Sequence, residues 1–183
     1  MASPRRERLL DTAEQLFYRE GFHAIGIDRI QAESGVAKTT LYKHFRSKDA
    51  LILAVLERTA ARVQEKLLAL VEPLDGQGSR RVTCLFDELH HICEAPDFNG
   101  CLFSNAAAEF MYLNASIRQC VSDHLTWLEA LFARLLQEEG LPSSRASMLL
   151  ALYQGVLSTA RVKQAPELVD QASALVAELL ERE

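Results

Sequence analysis

Glycine and proline cut this chain into segments, and every segment between the cuts repeats its apolar residues with a helical period. No window alternates apolar and polar residues as a half-buried strand would. That one feature predicts an all-α fold. Leu9, Leu10, Ala13, Leu16 and Phe17 share a stripe over about 5–20, closed by Gly21. Two short helices follow, about 27–34 and 38–45, with Gly35 between them. Ser47 is a good N-cap for a long helix over about 48–71. "EPLDGQGS" (72–79) is the clearest break, and five further helices are expected over about 79–93, 101–113, 116–139, 143–163 and 166–181. The reading is therefore three short helices, a long connector and a larger helical body, about nine helices in all.

The stretch "GVAKTTLYKHFRSKDAL" (35–51) mixes a glycine, threonines, aromatics, cations and a histidine, a mixture that neither a core nor an idle surface needs. The two short helices joined by "GVAK" have helix-turn-helix spacing. Leu41 and Phe45 are four apart and so share the inward face of the second helix. Thr39, Thr40, Tyr42, Lys43 and His44 are left on the other side, a donor-rich edge suited to a DNA major groove. Lys48 and the free N–H groups opening the connector helix form a phosphate-type anion site, and Arg5 and Arg6 are expected to reach the DNA backbone from a flexible N-terminus. Charge agrees. The chain carries −5 overall, yet residues 1–50 hold nine Lys/Arg against seven Asp/Glu, a balance of +2 that leaves −7 on the rest.

The run "FYREGFHAIGIDRIQAESGVAKTTLYKHFRSKDALILAVL" resembles the DNA-binding region of the TetR family of bacterial one-component repressors. The resemblance spans about the first 55 residues: the Gly21-Phe22 turn, "IDRIQAESGVAKTTLYKHF", then "SKDAL". It implies operator contacts from Thr39, Thr40, Tyr42, Lys43, His44 and Lys48, with Lys38 near the helix start. It also implies a DNA-binding domain at 1–47 and a ligand-binding and dimerisation domain at 48–183, paired with its copy through the last two helices. Two positions depart from the family pattern. Gly26 and Ala37 stand where members often carry Ser or Thr, and an Ala at an N-cap costs about 1 kcal/mol relative to Ser.

The expected function is a homodimeric transcriptional regulator, a repressor released from double-stranded operator DNA by a small apolar or aromatic effector. Phe86, Phe103, Phe110, Met111, Trp127 and Phe132 are the candidate effector-binding side chains, although bulky residues at helical spacing equally suit a core. Cys101, just after Gly100 at a helix start, suits a reactive thiol, so a redox- or electrophile-sensing repressor switched through Cys101 is the alternative. Buried free thiols are the plain reading of the four cysteines, which show no CxxC pair. "HHIC" (90–93) does not suggest a metal, because adjacent helical residues point about 100° apart. No cofactor is expected. A helical carrier or an enzyme finds no support, since no Ser-His-Asp or Cys-His pattern, Gly-rich phosphate loop or HExxH stands out. No apolar run reaches the ~20 residues of a bilayer span, and "MASPRRERLL" lacks a signal-peptide core, so a cytoplasmic protein without a membrane partner is expected.

Overall fold

In a computed structural model the chain is helical through the described residues, which are 3–74, 79–165 and 167–181. The helices are α1 (Pro4–Glu20), α2 (Ile27–Ser34), α3 (Lys38–His44), α4 (Lys48–Val71), α5 (Arg80–Cys93), α6 (Leu102–Phe110), α7 (Ala115–Glu138), α8 (Ala146–Lys163) and α9 (Glu167–Glu181). Short 3-10 turns at Glu72–Leu74 and Ser143–Arg145 precede α5 and α8. The all-α expectation holds. Residues 75–78 of the expected break, and Pro166 at the expected start of the last helix, lie outside the described residues. None of the described helices is long and apolar enough to cross a membrane.

The chain divides into two compact units. Residues 1–61 and 102–122 form the first, 62–101 and 123–183 the second. These units follow packing and cut differently from the expected boundary at residue 47: the start of α4 and all of α6 pack with the N-terminal helices.

In the first unit α1 buries the predicted stripe Leu9, Leu10, Ala13, Leu16 and Phe17. Phe22, Ile30, Leu41, Leu51 and Ile52 complete its interior, all with no exposed surface. Ile27 is only half-buried, so Ile30 carries the inward face of α2. Gly35 ends α2 at φ 65°, ψ 13°, a left-handed conformation that costs glycine little. Its N–H bonds the Gln31 carbonyl at 3.0 Å, and the chain turns at once into α3. As the sequence implied at Gly26 and Ala37, α2 and α3 both begin without a side-chain cap, whereas the Ser47 hydroxyl accepts the Ala50 N–H at 3.1 Å at the start of α4. Arg58 of α4 fixes α1 through Glu7, Asp11 and Glu14, at 3.2, 2.8 and 2.8 Å.

The flexible N-terminal arm is corrected. α1 starts at Pro4, where proline suits a first helical position, and the Ser3 carbonyl accepts the Arg6 and Glu7 N–H groups. The Arg6 guanidinium lies 5.4 Å from the Phe45 ring centroid, so it props the end of α3 in a cation–π contact.

In the second unit α5 packs on both α8 and α9, which also pack on each other. Arg81, 3% exposed, bonds the Val71 carbonyl and the Glu138 carboxylate, and so closes the joint left after α4. Arg145 donates to the Leu179 carbonyl at 2.8 Å, which joins the start of α8 to the end of α9.

Candidate nucleic-acid interface

The edge of α3 is built from behind. Leu41 and Phe45 are 0% and 4% exposed, and with them anchored the helix can present only its opposite side to solvent. Thr39, Tyr42, Lys43 and His44 are exposed there, with Thr40 half-buried at the margin. Tyr42 keeps 46% of its surface free. Four of these five side chains are thus exposed, on the part of α3 left free by Leu41 and Phe45.

The two flanking lysines are already engaged. Lys38 Nζ lies 2.6 Å from Asp28 Oδ1, an ion pair that ties α3 to the start of α2 and raises the lysine pKa, through the hydrogen bond first and the charge second. Lys48 donates to the His23 carbonyl at 3.4 Å; burial lowers its pKa, opposed by the nearby Glu109 and Asp49 carboxylates. Both pairs are exposed, and exposed pairs contribute little stability. Lys38 can therefore exchange Asp28 for a DNA phosphate at small cost, and the Lys48 ammonium, with three donors, can meet a phosphate while it stays bonded to the His23 carbonyl.

The expected effector residues divide between the two units. Phe103 and Phe110 are buried in the first, where Phe110 meets Phe22 edge-on at 5.8 Å and the His23 ring at 4.8 Å. Met111 sits 37% exposed in the turn after α6. That helix stops at Phe110, short of the expected 113, because Asn114 caps α7 by accepting the Ser116 and Ile117 N–H groups, each at 3.0 Å. In the second unit Phe86 and Phe132 are fully buried, and Trp127 packs part-exposed against the same core. Sequence reasoning missed Tyr153, which completes this cluster at 5.6 Å from Phe86 and 6.0 Å from Phe132. Burial drives its hydroxyl pKa sharply upward, helped by Cys101, Glu88 and Cys93. Its α8 spacing carried no signal beyond an ordinary buried position.

Cys101 is half-buried directly before α6. A side chain added at Gly100 would meet Arg161 Cδ at 2.9 Å, so the Arg161 stem lies against the backbone beside this cysteine. Cys84 and Cys93 have pKa values raised chiefly by burial, Cys84 to about 11, which makes both poor nucleophiles. His90 lies 3.5 Å from Glu94, and among the described residues no group of three or more His, Cys, Asp or Glu is placed to hold a metal.

Residues 9–55 match the family model described as "Bacterial regulatory proteins, tetR family". The chain is 28% identical to the HTH-type transcriptional repressor NemR of Escherichia coli K12, over 96% of this chain and 93% of that one. It is 26% identical to the HTH-type transcriptional repressor DhaR of Mycobacterium sp. GP1, over 97% and 93%. Among solved structures, reduced E. coli NemR superposes with a TM-score of 0.86 at 28% identity, covering 95% of each chain. SCO4454, a TetR-family transcriptional regulator from Streptomyces coelicolor, gives 0.82 at 29% identity, covering 97% and 96%.

Proposed function

Because the chain belongs to the TetR family of bacterial regulatory proteins and is a DNA-binding transcriptional regulator, we propose that it is a cytoplasmic homodimeric repressor, released from its operator by a small effector. The observation that carries the DNA-reading face is the exposed Thr39–His44 edge backed by buried Leu41 and Phe45. Lys38, Lys43 and Lys48 supply phosphate contacts, and Thr39, Thr40, Tyr42 and His44 face base edges and the adjacent backbone. Relatives named as repressors favour repression over activation.

Dimerisation is supported by α8. Its buried face carries Leu149, Tyr153, Val156 and Ala160, while Met148, Ala151, Gly155, Thr159 and Val162 form a second, exposed stripe at spacings of three and four. Met148 and Val162 keep 63% and 80% of their surface, and Leu175 of α9 keeps 46%. Small residues between apolar ones let two helices approach closely. A dimer sets two α3 edges ~34–36 Å apart, the repeat of successive major grooves on one face. An effector that binds the wider-spaced state better shifts the population away from DNA by its differential affinity alone. Tilting α4, which carries the head, is the simplest way to change that spacing.

Replacing Tyr42 by Ala tests the face. Operator affinity is expected to fall about tenfold or more, on the order of 1–3 kcal/mol, with the dimer unchanged in sedimentation. Wild-type affinity in that variant removes Tyr42 from the contact surface.

A second reading concerns Cys101, favoured by a similar repressor whose structure is described as a reduced form. Here the effector is an oxidant or electrophile and the thiolate is its target. Cys101→Ser is then expected to bind operator normally but to resist release by N-ethylmaleimide. A Cys101 thiol that remains unalkylated at pH 8 discards this reading.

A further inference from the structure

Glu109, on the last turn of α6, reaches a segment 86 and 87 residues earlier in the chain. Its Oε1 accepts the Phe22 N–H at 2.9 Å and its Oε2 accepts the His23 N–H at 2.6 Å. One carboxylate thereby satisfies two successive backbone donors in the turn between α1 and α2, a charge-assisted arrangement stronger than neutral pairs. The fit is close: a side chain at Gly21 would approach Glu109 Oε1 to 3.2 Å. The neighbouring Phe110 ring lies on Phe22 and His23, so apolar and polar contacts hold the same turn.

His23 is gripped from both sides. Its N–H goes to Glu109 and its carbonyl accepts from Lys48, the candidate phosphate ligand at the start of α4. Four residues past α6, Asn114 Nδ2 donates to Asp49 Oδ2 at 2.8 Å, next in sequence to Lys48. Two side chains from the α6–α7 corner thus fix the local frame in which Lys48 is presented. α6 itself follows directly on Cys101, the residue at which the chain leaves the second unit.

We propose that Glu109 is a positioning residue for operator binding: its carboxylate holds the α1–α2 turn, and through His23 the Lys48 ammonium, in the arrangement that DNA requires. The proposal rests on the DNA-binding reading above and adds to it the part played by α6. Glu109 itself touches no DNA. An effector that shifts α6 withdraws this carboxylate and frees the turn, which gives the body a route to the head beside the tilt of α4.

Charge and position act in opposite directions here, which makes the proposal testable. Removing an anion close to a DNA-binding surface strengthens attraction to every duplex. Loss of positioning weakens the specific complex alone. A duplex is first selected from random DNA with the wild-type dimer. Glu109→Ala is then titrated against that duplex and against a scrambled duplex of equal length and composition. The selected duplex is expected to lose about tenfold or more in affinity, and the scrambled one to bind within about twofold of wild type or slightly tighter. The salt slope should be unchanged, since no phosphate contact is lost, and amide hydrogen exchange at Phe22 and His23 should accelerate. Glu109→Gln keeps the size and one acceptor oxygen, so it serves if the alanine variant does not fold as a dimer; it should fall between the two. Wild-type affinity for the selected duplex, or equal losses on both duplexes, overturns the proposal. If the wild-type dimer enriches no duplex, the regulator reading fails and the proposal falls with it.

Discussion

Raising monovalent salt from about 50 to about 200 mM is expected to weaken operator binding by roughly 10³-fold, because each neutralised phosphate releases condensed counterions and contributes about −0.9 to the logarithmic slope. The slope is set by the cations on the proposed DNA-reading face. Lys38, Lys43 and Lys48 are the candidate phosphate ligands of one head, and a dimer presents two heads. Six contacts give a slope near −5, and a fourfold rise in salt then produces the stated loss. The net charge of −5 does not oppose this, since the excess anions lie beyond the first fifty residues. Lys38 must first leave Asp28, and both charges of that pair are solvent-exposed, so the exchange is inexpensive. Fluorescence anisotropy of a labelled duplex across a salt series measures the slope. Lys43→Ala should make it shallower by about 2 for the dimer, one per head, at every sequence tested. A slope near zero leaves the edge without its phosphate contacts.

What was legible beforehand follows from the range of each signal. Helix type and most helix ends are written within a few residues: the Ser47 cap, the Gly35 stop, the four-residue spacing of Leu41 and Phe45. The exposed edge of α3, proposed above as the DNA-reading face, was therefore visible in one short segment. The failures lie where distant residues decide. α6 ends early because Asn114 commits the chain to α7, and Arg6, expected to reach out from a flexible N-terminus, lies over the distant Phe45 ring. Glu109 is an ordinary polar position on a short helix until the fold brings Phe22 and His23 to it. The aromatic residues of the body illustrate the same limit: helical spacing says that Phe86 and Phe132 face inward, but only packing shows that Tyr153 meets both.

That cluster yields the other large effect. Phe86→Ala is expected to lower the unfolding free energy by about 3–5 kcal/mol, the usual range when a large aromatic residue is removed from a packed interior. Phe86 has no exposed surface, and its ring lies 6.0 Å from Phe132 and 5.6 Å edge-on from Tyr153. These separations lie in the favourable range for aromatic pairs, so the alanine variant loses ring contacts as well as transfer energy and leaves a void. Urea unfolding followed by helical circular dichroism gives the value, with wild type and variant compared at one protein concentration. The result also separates two roles for the same side chain. A loss within the stated range makes Phe86 a core residue, and an effector would then have to be held by other groups. A loss below about 1 kcal/mol means that its ring borders space already open, as a residue lining an effector cavity would. In that case the variant should instead respond differently to ligands, and the Phe86–Phe132–Tyr153 cluster becomes the first place to look for the effector.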